Sequence, residues 1–197
     1  MRAASTFNRL IPVVLAAAAL LAVLPSFLGG QSVLVVTVGD SVTYDADPGI
    51  RAALEATGSV VVDTRSIGGV GLLRPGIDGY LDDATSDDPD VVVVMLGGWD
   101  LGEIVADPDA YEARLDVVAD RLTDEGAHVV WLDMPPTPPG EGIEEARRLA
   151  NRLFADLGRR RGDVTHIATG SLLGDEEGGV GERPETQEDF LLFQMFL

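Results

Sequence analysis

Four short segments hold the side chains that could do chemistry. Gly39-Asp40-Ser41 presents a hydroxyl next to a carboxylate. Ile67-Gly68-Gly69-Val70-Gly71 is a loop whose backbone N–H groups lie open for want of side chains. Gly97-Gly98-Trp99-Asp100 pairs an indole with a second carboxylate, and Asp133-Met134-Pro135-Pro136 adds a third. A serine hydroxyl is a weak nucleophile near pH 7 and acts only beside a base, normally a histidine oriented by a carboxylate. The negative charge that then develops on a carbonyl oxygen needs fixed N–H donors, which glycine-rich backbone supplies. Each segment also has a plain structural reading. Gly-Asp is common turn chemistry, Ser is a common cap, and a lone Trp usually packs.

The elements around these segments are legible. Ser32–Val38, Ser59–Asp63, Asp90–Leu96, Ala127–Leu132 and Asp163–Ala168 are short β-branched or apolar runs, read as five buried strands. Between the first two strands the turn GDSVTYDAD leads to Asp47-Pro48, a cap followed by proline at the first helical position, and the helix runs to about Thr57. Asp107-Pro108 repeats that signal, opening a helix to Glu125. Glu144–Arg161 forms a third helix with Leu149, Leu153, Phe154 and Leu157 on one stripe. Apolar strands separated by amphipathic helices predict a three-layer, doubly wound, flavodoxin-like α/β domain with a five-stranded parallel sheet in the order 2-1-3-4-5. Sites in such folds sit at the carboxyl ends of strands, and all four segments fall there.

Composition narrows the function. The chain has 197 residues, 33 acidic and 14 basic, for a net charge of −19. All 14 basic residues are arginine. A nucleic-acid partner is not expected, because phosphate contact needs a basic face. There is no cysteine and only two histidines, His128 and His166, so a cysteine or multi-histidine metal site is not expected; no cofactor is expected either. Asp82, Asp83, Asp87, Asp88 and Asp90 lack the spacing of a calcium loop and read as a solvated acidic loop.

Residues 1–30 stand apart. A short basic start carrying Arg2 and Arg9 precedes a run from Leu10 to Leu28 with no charge, which predicts an apolar helix: a cleaved signal peptide or an uncleaved membrane anchor. Either places the acidic domain outside the cytoplasmic membrane, with the arginines inside.

Taken together, VVTVGDSVT, IGGVGLL and VVVVMLGGWDLGE at these spacings resemble the SGNH (GDSL-type) hydrolase family over about residues 32–184. The third block is similar to the G-x-W-D form of actinobacterial members. The resemblance implies a serine esterase or acyl hydrolase, or an O-acyltransferase, acting on an acyl ester of a glycan or small molecule. It implies that Ser41 is the nucleophile in the Asp40-Ser41 turn. The Ser41 N–H and the N–H of Gly69, or of Gly71 in a shifted register, would hold the oxyanion. Asp100 and Gly97 close the third block; the resemblance puts Asp40 and Asp100 with Ser41 and Gly69 among the catalytic residues, and Gly71, Arg74, Gly98 and Trp99 among those that bind substrate. Trp99, beside Gly98, stands where the family commonly has an asparagine that donates to the oxyanion; an indole N–H is also a donor. Arg74 and Arg65 lie near the expected site and could pair with a substrate carboxylate or with Asp100.

One part of the pattern is missing. The family's base is a histidine in a late D-x-x-H block, and here that stretch reads Glu182-Arg183-Pro184-Glu185-Thr186-Gln187-Glu188-Asp189-Phe190, with Leu192 three residues after Asp189. His128 opens the fourth strand, at the wrong end of the sheet by roughly 15–20 Å. His166 lies within the fifth strand and reads as structural. Residues 185–197 end in FLLFQMFL, which holds three of the six phenylalanines. This change of composition suggests a lost reading frame or truncated gene near residues 185–187; the alternative is a short apolar tail docked on the sheet. Without a base, this chain is expected to be slow or dead on activated esters, or to be an inactive SGNH-like binding module.

Overall fold

The computed structural model describes residues 32–56, 58–136 and 141–169. The expected N-terminal apolar helix and the atypical tail lie outside the described residues. Five strands form one parallel sheet: β1 (Val33–Gly39), β2 (Val60–Thr64), β3 (Val91–Met95), β4 (His128–Leu132) and β5 (Val164–Ile167). Their order is β2-β1-β3-β4-β5, as the sequence predicts. Valine dominates because a strand buried on both faces has no solvent side on which to alternate; all five residues of β3 are buried.

The helices are α1 (Ser41–Glu55), α2 (Ile77–Thr85), α3 (Leu101–Ala106), α4 (Pro108–Thr123) and α5 (Glu144–Arg160). One face of the sheet, with Val36, Val38, Val92, Val94, Val129 and Trp131, packs against α2 to α5. The other, with Val33, Val35, Val62 and Val93, packs against Ile50 and Leu54 of α1. Trp131 and Phe154 anchor the first layer, their ring centroids 5.4 Å apart.

Two expectations are corrected. The first helix does not start at Asp47-Pro48. It starts at Ser41, with Asp40 as its N-cap accepting from the Val42 N–H at 2.9 Å, and Pro48 lies inside it. The Asp40 cap acts directly at the end of β1, and the helix absorbs the single hydrogen bond that Pro48 cannot make. The acidic stretch before β3 is not all loop either. Asp82 and Asp83 belong to α2, whose Ile77, Leu81 and Ala84 recur at helical spacing and bury against the core. Its carboxylates are paired with arginine, Arg121 reaching Asp82 and Arg65 reaching Asp83, and Arg65 also pairs with Asp87 just beyond the helix. The second cap reads true, as Asp107 accepts from the Ala110 N–H at 3.0 Å with Pro108 at the first turn.

Candidate active site

Ser41 is the first residue of α1 and is exposed at the carboxyl end of β1. The turn that presents it is tight. A Cβ at Gly39 would run into the Thr43 side chain, which folds back and donates from Oγ1 to the Met95 carbonyl at 3.2 Å. Only glycine permits that closeness. The carbonyl of Gly39 accepts from the Ile67 N–H at 2.9 Å, which ties the glycine loop to the same turn.

The second and third segments meet at Asp100. Its Oδ2 accepts from the Leu72 N–H at 2.6 Å and from the Tyr111 hydroxyl at 3.2 Å, and its Oδ1 from the Leu73 N–H at 3.4 Å. A buried carboxylate is tolerated when its oxygens are satisfied in this way. Burial still pushes its pKa up, opposed by the backbone donors of Leu72 and Leu73 and by the Tyr111 bond. Asp40 behaves alike: burial raises it, the Val42 and Thr43 amides lower it, and the charge of Asp100 adds to the rise. Asp40 thus caps α1, and a Cβ on Gly98 would lie 3.4 Å from its Oδ2, so the first and third segments abut.

The two candidate glycines differ in surroundings. A Cβ at Gly71 would collide with the Asp100 carboxylate, so Gly71 is a close-approach position within the packing. Gly69 is exposed with φ of +79°, and nothing stands within 4 Å of where its Cβ would be. Trp99 is 48% exposed. Arg74 donates to the Trp99 carbonyl at 3.2 Å and sits 6.0 Å from the indole centroid.

The expected pairing of Arg65 or Arg74 with Asp100 is not found, because Asp100 is filled by backbone donors and Tyr111. Arg65 is turned toward Asp63, Asp83 and Asp87 instead. The histidines are engaged elsewhere. His128 Nε2 lies 2.8 Å from Thr165 Oγ1 at the amino end of β4. His166 Nε2 lies 2.7 Å from Asp133 Oδ1, three strands from β1 or about 14 Å away across the sheet. No hydrogen bond among the described residues engages the Ser41 hydroxyl.

The pattern that describes the GDSL-like lipase/acylhydrolase family matches residues 37–184. The chain belongs to that family. The GDSL family acts on acyl esters, and a hydroxyl raised at a strand end between two backbone loops is an arrangement that can do so. No curated protein sequence matches. Among solved structures, TesA is similar with 22% identity and a TM-score of 0.61, over 82% of this chain and 91% of that one. The catalytic domain of the peptidoglycan O-acetyltransferase OatA from Streptococcus pneumoniae, with a methylsulfonyl adduct, gives 15%, 0.57, 84% and 90%. The esterase EstA from Pseudoalteromonas, inhibited by monoethylphosphonate, gives 15%, 0.56, 83% and 94%. At these identities the likeness is one of GDSL fold.

Sequence reasoning overlooked three residues that hold the site. Tyr111 and Arg114 lie on the buried side of α4: Tyr111 donates to the Asp100 carboxylate that holds the Leu72 and Leu73 amides, and Arg114 donates to the Leu72 carbonyl at 2.9 Å. Tyr80, on α2, bonds the backbone of Gly39. The helical spacing of Ile77, Leu81 and Ala84 was the available sign of α2; nothing local marks where Tyr80 points.

Proposed function

We propose that this GDSL-family chain is a serine acyl-ester hydrolase or O-acyltransferase that works outside the cytoplasmic membrane, on an ester of a glycan or small molecule. One observation carries it: Ser41 stands exposed at the first position of α1, at the end of a Gly39-Asp40 turn that is bonded to Ile67 of the glycine loop and abuts Gly98. In the reaction, Ser41 Oγ bonds to the ester carbonyl carbon and its proton leaves with the departing alcohol. Water, or a second alcohol, then takes the acyl group and returns a proton to Ser41. The Ser41 and Gly69 N–H groups, with the Trp99 indole, are the donors for the oxyanion. Gly69 is preferred to Gly71 because its surroundings are open. Asp100 positions the Gly69 loop without touching substrate. The apolar run Leu10–Leu28 supports export or anchoring.

A second reading, a binding module without turnover, is favoured by the engagement of both histidines away from Ser41. A fluorophosphonate probe separates the two. A covalent adduct on Ser41, lost in Ser41→Ala, supports an activated nucleophile, as the phosphonate-inhibited EstA suggests for this fold. A folded chain that stays unlabelled, yet binds an acylated glycan equally well in Ser41→Ala, supports the binding module.

A further inference from the structure

The parallel ladder between β1 and β2 is regular through the pair Thr37 and Thr64. It continues on the loop side: the Arg65 N–H donates to the Thr37 carbonyl and the Ile67 N–H to the Gly39 carbonyl, both at 2.9 Å. The ladder pattern then requires the Gly39 N–H to bond the Arg65 carbonyl. It does not. The Gly39 N–H donates to the Tyr80 hydroxyl oxygen at 3.0 Å, and that hydroxyl donates onward to the Arg65 carbonyl. The phenol of Tyr80 is inserted where a direct interstrand bond belongs. Burial holds its pKa up at about 12, so it stays a neutral hydroxyl able both to accept and to donate.

The position of this wedge is what gives it consequence. Gly39 immediately precedes Asp40-Ser41, and Arg65 opens the loop that leads to Gly69. The hydroxyl bridges the two strands just where they lead into the Ser41 turn and the glycine loop. Tyr80 is itself held in place. Ile77 and Leu81 of its helix are buried, Arg114 bonds Asp78 at 2.6 Å, and Arg65 pairs with Asp83. We propose that Tyr80 is a positioning residue whose hydroxyl sets the spacing between the Ser41 turn and the Gly69 loop. This rests on the reading of Ser41 as nucleophile and Gly69 as oxyanion donor.

The test compares wild type, Tyr80→Phe and a stability control, Leu115→Ala, in the full chain. The readouts are the fluorophosphonate labelling rate of Ser41, the exchange rate of the Gly39 amide, and the melting temperature. Tyr80→Phe is expected to label at least about tenfold more slowly, because small displacements of reacting groups cost large factors in rate. Its Gly39 amide should exchange faster. Leu115→Ala should melt earlier and label at the wild-type rate. Where the wild type reacts, labelling decides: Tyr80→Phe at the wild-type rate, or Leu115→Ala slowed equally, overturns the proposal. An unlabelled wild type sinks the nucleophile reading instead, and unchanged Gly39 exchange in Tyr80→Phe then overturns the wedge as well. Should Tyr80→Phe not fold, a wild-type Gly39 amide exchanging as fast as that of exposed Gly68 overturns it.

Discussion

Gly69 and Gly71 look interchangeable in IGGVGLL, yet the structure makes them opposite kinds of position. At Gly71 a methyl group meets a carboxylate that already holds three donors. Gly71→Ala should therefore destabilise the fold by about 1–3 kcal/mol through overpacking, read from urea denaturation. Gly69→Ala meets open space and carries only the left-handed backbone penalty, about 1 kcal/mol. If Gly69 is the oxyanion donor, that small loss should come with a larger fall in Ser41 labelling. Ser41→Ala, at an exposed helix position, should leave stability within about 0.5 kcal/mol of wild type while removing the adduct. Such a split between stability and reactivity separates residues that hold the site from residues that use it.

At the scale of the element, caps and end charges decide where helices start. Asp107 satisfies an otherwise free N–H of α4, and Asp107→Ala should cost about 1 kcal/mol in the same denaturation assay. At the start of α5, Glu144 accepts from Arg147 and Arg148, and these bonds, led by Arg147, lower its pKa to about 2. A lowered carboxyl pKa contributes stability above its ordinary value, and that stability is lost as pH falls toward the folded value. Glu144→Gln should thus be less stable than wild type at pH 7, with the difference closing between pH 4.5 and about pH 2. Asp40 and Asp100 run the other way. Their raised values favour the fold at low pH, and that contribution is lost as pH rises through them.

For the molecule as a whole, charge and core oppose each other. The net charge of −19 repels itself, although arginines bridge the helices, with Arg160 on Glu112 and Asp116 and Arg161 on Asp120 and Asp163. Added sodium chloride should raise the melting temperature, because screening weakens the excess repulsion more than these close pairs. A fall with salt would mean the bridges dominate. Phe154 is fully buried against Trp131 and beneath Gly97, so Phe154→Ala should cost about 3–5 kcal/mol.

Strand type and order were legible because runs such as Val91–Met95 have no polar face, and parallel strands buried on both sides must alternate with helices. The segments at the strand ends were legible for the same reason, since topology brings every carboxyl end to one edge. The start of α1 was misplaced because two residues of one type, Asp40 and Asp47, each offer a cap, and only the strand leading into Asp40 chooses between them. Residue type and spacing were enough for the layers, the strand order and the candidate hydroxyl at Ser41. That Gly71 makes room for Asp100, that Arg65 pairs with Asp83 of α2, and that the Tyr80 hydroxyl bridges two strands came only from the packed fold. Those facts depend on contacts across 15 to 41 residues of chain, where spacing carries no signal and packing makes the choice.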